Sequence, residues 1–223
     1  MLLVATPDGL ELRVLEGALE LRGGRGVRAD WERIDIASGA GRSFKQPLAK
    51  AVGLRSMKDL PLTVIDATAG WGRDAWLLAA LGCEVRALER SRVLAALLEE
   101  ARGRLSRSQP EIVARLQLVA GDSRAYLDSC VHSGTARPDV VYLDPMFTGT
   151  ERRKTAEQKS MRVLRRLVGA DEDAPQLFEL AMQAATKRVV VKRPDKGGRD
   201  FGLKPTATHQ GKGFCFDVYL PPK

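Results

Sequence analysis

The pattern of apolar and polar positions changes character near residue 60. Residues 11–31 (ELRVLEGALELRGGRGVRADW) alternate apolar and polar side chains between glycine breaks, the period-two signature of short antiparallel strands. Residues 43–52 (SFKQPLAKAV) predict a loop entering a short helix. After Pro61, apolar runs predict buried strands at 62–67 (LTVIDA), 84–89 (EVRALE), 116–121 (LQLVAG), 139–144 (DVVYLD) and 188–193 (RVVVKR). Helical segments separate them, notably at 74–81 and 92–105. Strands alternating with helices imply right-handed crossovers and a mostly parallel sheet. Beyond Pro194 no helix is predicted. Residues 204–209 and 214–220 flank a glycine-rich turn and predict a closing antiparallel hairpin. The expectation is an α/β fold in two parts, a small β-rich segment with a short helix at 1–59 and a Rossmann-like domain at 60–223.

Composition narrows the function classes. The 223 residues are 44% apolar, enough for a buried core, and carry a formal charge of +8. A pI near 9.7 points to a polyanionic partner. No apolar run approaches the roughly 18–20 residues that cross a bilayer. The first residues reach Asp8 without a basic region, so no signal peptide is expected. Cys83, Cys130 and Cys215 are far apart and read as buried thiols of a reducing cytoplasm, and two histidines leave little for a metal site. A cytoplasmic protein without metal or membrane is expected.

In doubly wound sheets, ligands bind beyond the carboxyl ends of the strands. The first strand ends in Asp66-Ala67-Thr68-Ala69-Gly70-Trp71-Gly72-Arg73-Asp74, a G-x-G turn that lets backbone approach a ligand and opens a helix with free N–H groups. The third glycine of a dinucleotide fingerprint is missing. The second strand ends in Glu89-Arg90, about 20 residues on, the spacing at which a carboxylate takes ribose hydroxyls. A helix cap is the alternative for Glu89. The third ends in Asp122-Ser123, either an N-cap or an adenine contact. The fourth ends in Asp144-Pro145-Met146-Phe147.

That last turn resembles the motif of amino-methyltransferases. A carboxylate and the Pro145 carbonyl can both accept from an –NH₂ group, and Phe147 can stack on an unstacked base. An ordinary β-turn with Phe147 in the core is the alternative. Together the four strand ends favour S-adenosylmethionine as cofactor. Residues 151–168 follow with Arg152, Arg153, Lys154, Arg162, Arg165 and Arg166. Met161, Leu164, Leu167 and Val168 fall at helical spacing, so the arginines face outward, as a solvated surface or as phosphate contacts. Lys187, Arg188, Lys192 and Arg193 could extend the patch.

The segments DATAGWGRDA, ALER, VVYLDPMF, MRVLRRLVGADED and ATKRVVVKRPD closely resemble the RsmJ family of bacterial small-subunit ribosomal RNA guanine-N2 methyltransferases. GRSFKQPLAKAVGL is similar to that family's pre-Rossmann segment, and the resemblance runs from about Gly41 to the end. It implies a class I methyltransferase fold, methylation of a guanine N2 amine in 16S ribosomal RNA, and that RNA or the 30S particle as partner of a monomeric enzyme. It also implies cofactor contacts at Arg73-Asp74, Glu89-Arg90, Asp122-Ser123 and Asp144. Asp122 stands where Ser is usual, and Thr148-Gly149 where Pro and a basic residue are. Competing readings are a DNA adenine or cytosine amino-methyltransferase, for which little chain is left over as a target-recognition segment, and a non-catalytic RNA-binding assembly protein, against which the intact strand-end motifs stand.

Overall fold

The computed structural model of the chain describes residues 1–16, 22, 24–146, 159–169, 171–197 and 200–222. Phe147, Arg152, Arg153 and Lys154, all expected at the site, lie outside the described residues.

The chain opens with a hairpin of β1 (Leu2–Thr6) and β2 (Gly9–Arg13), paired from Leu2↔Arg13 to Thr6↔Gly9. The alternation in residues 11–31 points to strands in this region, but the first one starts earlier than it predicts. The missed signal is the turn Pro7-Asp8-Gly9, in which Gly9 takes φ +116°, a conformation that suits glycine. A short 3-10 turn at Trp31–Arg33 follows, then α1 (Pro47–Val52), begun by a proline at its first position and ended by the left-handed Gly53.

The remainder alternates strand and helix: β3 (Thr63–Asp66), α2 (Arg73–Ala80), β4 (Glu84–Glu89), α3 (Arg92–Leu105), α4 (Pro110–Arg115), β5 (Leu116–Ala120), α5 (Ser123–His132), β6 (Val140–Leu143), α6 (Lys159–Val168), α7 (Ala174–Ala184), β7 (Arg188–Pro194), β8 (Ala207–Gln210) and β9 (Phe214–Tyr219). One seven-stranded sheet runs β5-β4-β3-β6-β7-β9-β8. Strands β3 to β7 are parallel, and β9 lies antiparallel between β7 and β8. This is the expected α/β architecture with its closing hairpin.

The two-residue period of the strands sorts their side chains onto two faces. Val64, Val85, Val140 and Val190 point to one core, built with α2, α3, α4 and the segment before residue 60. Ile65, Leu88, Val141, Val189 and Val191 point to the other, covered by α5 and α7. Trp31 ties the early segment down. Its ring stacks on Trp76 of α2 at 5.1 Å between centroids, and its Nε1 donates to the Trp71 carbonyl at 2.8 Å. Gly72 belongs to the same contact. It takes φ +68°, and a Cβ there would come within 2.7 Å of the Trp31 ring and 2.9 Å of Leu98. Its need for glycine is thus set by packing from behind the loop.

Candidate active site

The strand order reverses between β3 and β6, the place where such sheets open a crevice at their carboxyl ends. A cleft of about 420 Å³ lies there, within the range that holds small ligands and cofactors. Asp66, Gly70, Arg73, Asp74, Glu89, Arg90, Asp122, Ser123, Asp144 and Pro145 all line it; Gly72 does not.

On the β3–β5 side each carboxylate accepts from backbone N–H groups close in sequence, and Asp122 from the Arg124 side chain as well. Asp66 accepts from the Thr68 N–H at 3.1 Å. Glu89, only 6% exposed, accepts from Gly70 N–H at 3.0 Å through Oε2 and from Ser91 N–H at 2.7 Å through Oε1. Glu89 therefore braces the glycine loop against the start of α3, and each oxygen keeps a free lone pair for a ligand. Burial pushes its carboxyl above the usual glutamate range, against the two N–H groups and Arg90. Asp122 caps α5 through the Arg124 N–H at 2.9 Å and pairs with the Arg124 guanidinium at 2.6 Å, which holds its carboxyl below the usual range. Ser123 Oγ donates to the Ala67 carbonyl at 2.6 Å.

On the β6–β7 side the carboxylates are held by side chains from distant parts of the chain. Lys192 Nζ reaches Asp74 at 2.7 Å and Asp144 at 3.0 Å, and sits 5.2 Å from the centre of the Phe214 ring. Tyr142 Oη donates to Asp74 at 2.5 Å, and the Asp144 N–H donates to Thr68 Oγ1 at 2.6 Å. Burial works against ionisation of both aspartates, but Lys192 and Tyr142 hold Asp74 below its ordinary value. Asp144 stays above its ordinary value: desolvation within the cleft leads, Lys192 opposes it without cancelling it, and Asp74 and Asp171 add to the rise. Asp66, deepest of the three, is pushed well above by burial first and then by Asp74 and Asp144. Two carboxylates thus share one ammonium, itself raised by Asp74 and Asp144 against its burial.

In sequence Lys192 reads as an extension of the basic patch or as solvated surface; in the fold it stands between Asp74 and Asp144. The signal was strand parity. Leu143 pairs with Val191, so the next residue on each strand, Asp144 and Lys192, falls on the same face at the same level. Asp171 was missed as well. It pairs with Arg90 and accepts from the Met146 N–H at 2.6 Å, while Arg90 also meets Asp173 at 3.1 Å. Arg90 is thereby committed to these two acids.

Helix α6 walls the cleft with Met161, Leu164, Arg165 and Val168. Val163 and Leu164 are buried and Leu167 and Val168 pack half-buried against the core, while Met161, 37% exposed, is turned to the cleft. Arg165 and Arg166 are exposed and Arg162 is half-buried. The helix is tied to the glycine loop through Trp71 Nε1, which donates to the Ser160 carbonyl at 3.1 Å.

Residues 1–221 match the model of a family of SAM-dependent methyltransferases. Ribosomal RNA small subunit methyltransferase J of Chromobacterium violaceum is 47% identical over 184 residues, 82% of this chain and 69% of that protein. The protein of the same name from Pseudomonas savastanoi pv. phaseolicola is 43% identical over 99% of this chain and 81% of its own length. Among solved structures, a SAM-dependent methyltransferase from Neisseria gonorrhoeae superposes with TM-score 0.71 at 34% identity, covering 98% of this chain and 82% of that one.

S-adenosylmethionine is the cofactor of this family, and the cleft fits it on its own chemistry. Glu89 keeps acceptor capacity for ribose hydroxyls, and Leu88, Met146, Leu164 and Leu177 supply apolar wall for a base. Asp74 and Asp144 share one ammonium, Lys192, so carboxyl groups outnumber cations in that cluster, which suits a sulfonium cation. The chain belongs to the ribosomal RNA small subunit methyltransferase J family of S-adenosylmethionine-dependent methyltransferases.

Proposed function

We propose that this protein methylates the exocyclic N2 amine of a guanine in small-subunit ribosomal RNA. The observation that carries the reading is Asp144. Its side chain, 41% exposed, faces the cleft beside Pro145 in the same cavity as Glu89. When bound, S-adenosylmethionine supplies an electrophilic methyl group.

The guanine N2 lone pair is delocalised into the ring, so the amine is a weak nucleophile. Asp144 and the Pro145 carbonyl accept from its two N–H groups and favour the pyramidal nitrogen of the transition state. Asp144 also stabilises the positive charge growing on that nitrogen, and after the bond has formed the proton passes to the Asp144 carboxylate and on to solvent. Lys192 fixes the Asp144 carboxylate in place. Glu89 holds the ribose, and Asp66, Gly70, Arg73, Asp74, Asp122 and Ser123 complete the cofactor half. Gly72 acts from behind, by shaping the loop. Phe147 holds the base plane. Arg152, Arg153, Lys154, Arg162, Arg165 and Arg166 take phosphates of the RNA. The segment at 1–59 forms a small unit beside the Rossmann-like domain of 60–223, and the enzyme works as a monomer in the cytoplasm.

The family name supports ribosomal RNA over DNA. Among the described residues no helix is long and apolar enough to cross a membrane, and no group of three His, Cys, Asp or Glu side chains could hold a metal ion. Labelled methyl transfer to isolated 16S RNA, to 30S particles and to duplex DNA, followed by nucleoside analysis, tests the reading. N2-methylguanosine from an RNA substrate is expected. Methylation of DNA alone, or no transfer to either, would overturn it.

A further inference from the structure

We propose that Asp171 is a positioning residue for methyl transfer: it fixes the plane of the Pro145–Met146 peptide and so aims the Pro145 carbonyl. The inference rests on the reading above, in which that carbonyl accepts from the target amine.

A trans peptide unit is planar, with its N–H and C=O pointing in opposite directions. Whatever holds the N–H therefore sets the direction of the carbonyl. The Met146 N–H donates to Asp171 Oδ2 at 2.6 Å, a short bond to a carboxylate acceptor. In return the Asp171 N–H donates to the Met146 carbonyl at 3.4 Å, so the two segments clasp each other twice. The Pro145 carbonyl must then face away from Asp171. The other end of the turn is pinned separately, by the Asp144 N–H to Thr68 Oγ1 at 2.6 Å. Between those pins the peptide has little freedom.

Asp171 is itself anchored. Its other oxygen pairs with Arg90, which directly follows Glu89 at the end of β4. The side chain of Asp171 is 14% exposed and that of Arg90 39%, so the pair is sheltered on the aspartate side only. The path Glu89–Arg90–Asp171–Met146–Pro145 thus connects the carboxylate assigned to the ribose with the carbonyl assigned to the amine, by one covalent step, two polar contacts and a peptide plane. It keeps the two half-sites in register. A displacement on the order of 1 Å at a reacting group costs about 10²-fold in rate, which is what the loss of this anchor should approach.

The test compares Asp171→Ala with Asp171→Asn. Asparagine keeps an acceptor for the Met146 N–H while losing the charge that Arg90 meets; alanine loses both. Single-turnover methyl transfer to the small-subunit RNA, at saturating cofactor and RNA, should fall about 30–100-fold in Asp171→Ala and less than about fivefold in Asp171→Asn. Cofactor affinity by calorimetry should stay within about threefold in both, since the lost group touches the turn and not the ribose. Wild-type rates in Asp171→Ala overturn the inference while leaving the proposed reaction standing. Equal losses in both variants, or losses that vanish with more cofactor, also overturn it. Should Asp171→Ala not fold, Asp171→Glu decides, because it keeps charge and acceptor but moves them by one methylene. A tenfold or greater drop in rate is expected there, and an unchanged rate overturns the inference. A wild-type protein that methylates no RNA would instead remove the reading on which the inference stands.

Discussion

The two sides of the cleft hold their carboxylates by different means. On the β3–β5 side, Asp66, Glu89 and Asp122 are gripped by N–H groups two residues away in sequence, with Gly70 the exception. On the β6–β7 side, Asp144 is held by Lys192, 48 positions on, and Asp171 by Arg90, 81 positions back. A backbone donor remains whatever its own side chain becomes, so the first side is set by local chain geometry. The second depends on ion pairs that one substitution can remove, each leaving a charge behind. The first side therefore serves as a fixed frame for the cofactor, and the second as an electrostatic arrangement tuned to a reaction.

The largest effect is expected at Asp144. Asp144→Asn keeps the turn but exchanges an acceptor for a donor and removes the charge, and turnover should drop about 10²–10³-fold with a near-normal melting temperature. Near-normal turnover would make the turn merely architectural.

Lys192→Met should lower turnover by about 10–10²-fold and change its pH dependence. Asp144 must be ionised to act, so the rate falls as pH drops through its pKa. Burial already lifts that pKa, and Lys192 is the main group opposing the lift, with Asp74 and Asp171 adding to it. Without the ammonium the acidic limb should move to higher pH, and Lys192→Arg should partly return it. An unmoved limb would show that Lys192 only fills space.

Gly72→Ala probes the frame from behind. The left-handed backbone and the approach to Trp31 should cost about 2–4 kcal/mol of stability, read in chemical denaturation. A variant as stable as the parent would contradict the packing role assigned to this glycine.

Glu89→Gln should weaken cofactor binding by about 1.5–3 kcal/mol by calorimetry. In the parent, affinity should fall as pH drops through the raised pKa of Glu89, because its protonated form loses the charge that strengthens the ribose contact. For stability the sign is opposite. A carboxyl whose pKa is raised on folding disfavours the fold when ionised, so acidification relieves that cost. Affinity that is flat across this range would leave Glu89 as a brace for the glycine loop alone.

The smallest effect concerns α6. Replacing Arg162, Arg165 and Arg166 by Gln should flatten the salt dependence of RNA binding by about two in log–log slope, if each meets one phosphate. Cofactor affinity should barely change. An unaltered slope would mark the arginines as solvated surface.

The same contrast explains what could be read in advance. Strand β4 and helix α3 run over the residues their patterns predict, because EVRALE is a short run bounded by Gly82 and Ser91, and 92–105 holds a single glycine. Asp66, Glu89 and Asp122 are legible for the same reason, since each accepts from an N–H two residues on, whereas Asp144 is legible from its Asp-Pro turn and not from the groups that hold it. Lys192 and Asp171 were not, since their roles appear only once β6 and β7 are set in register and the α6–α7 connection is brought to Arg90. Strand β1 was passed over although Asp8-Gly9 marks its turn, and Val163 was missed on α6 because its stripe was read from its neighbours.

The separation of the two sides is tested most directly by single-turnover methyl transfer to small-subunit RNA, followed against cofactor concentration in Glu89→Gln and Asp144→Asn. A defect in the frame is one of binding, so Glu89→Gln should climb to near the parental rate at saturation. A defect in the reacting arrangement is one of rate, so Asp144→Asn should level off about 10²-fold or more below it. Two variants that converge on the parental plateau, or two that stay below it together, would contradict the account.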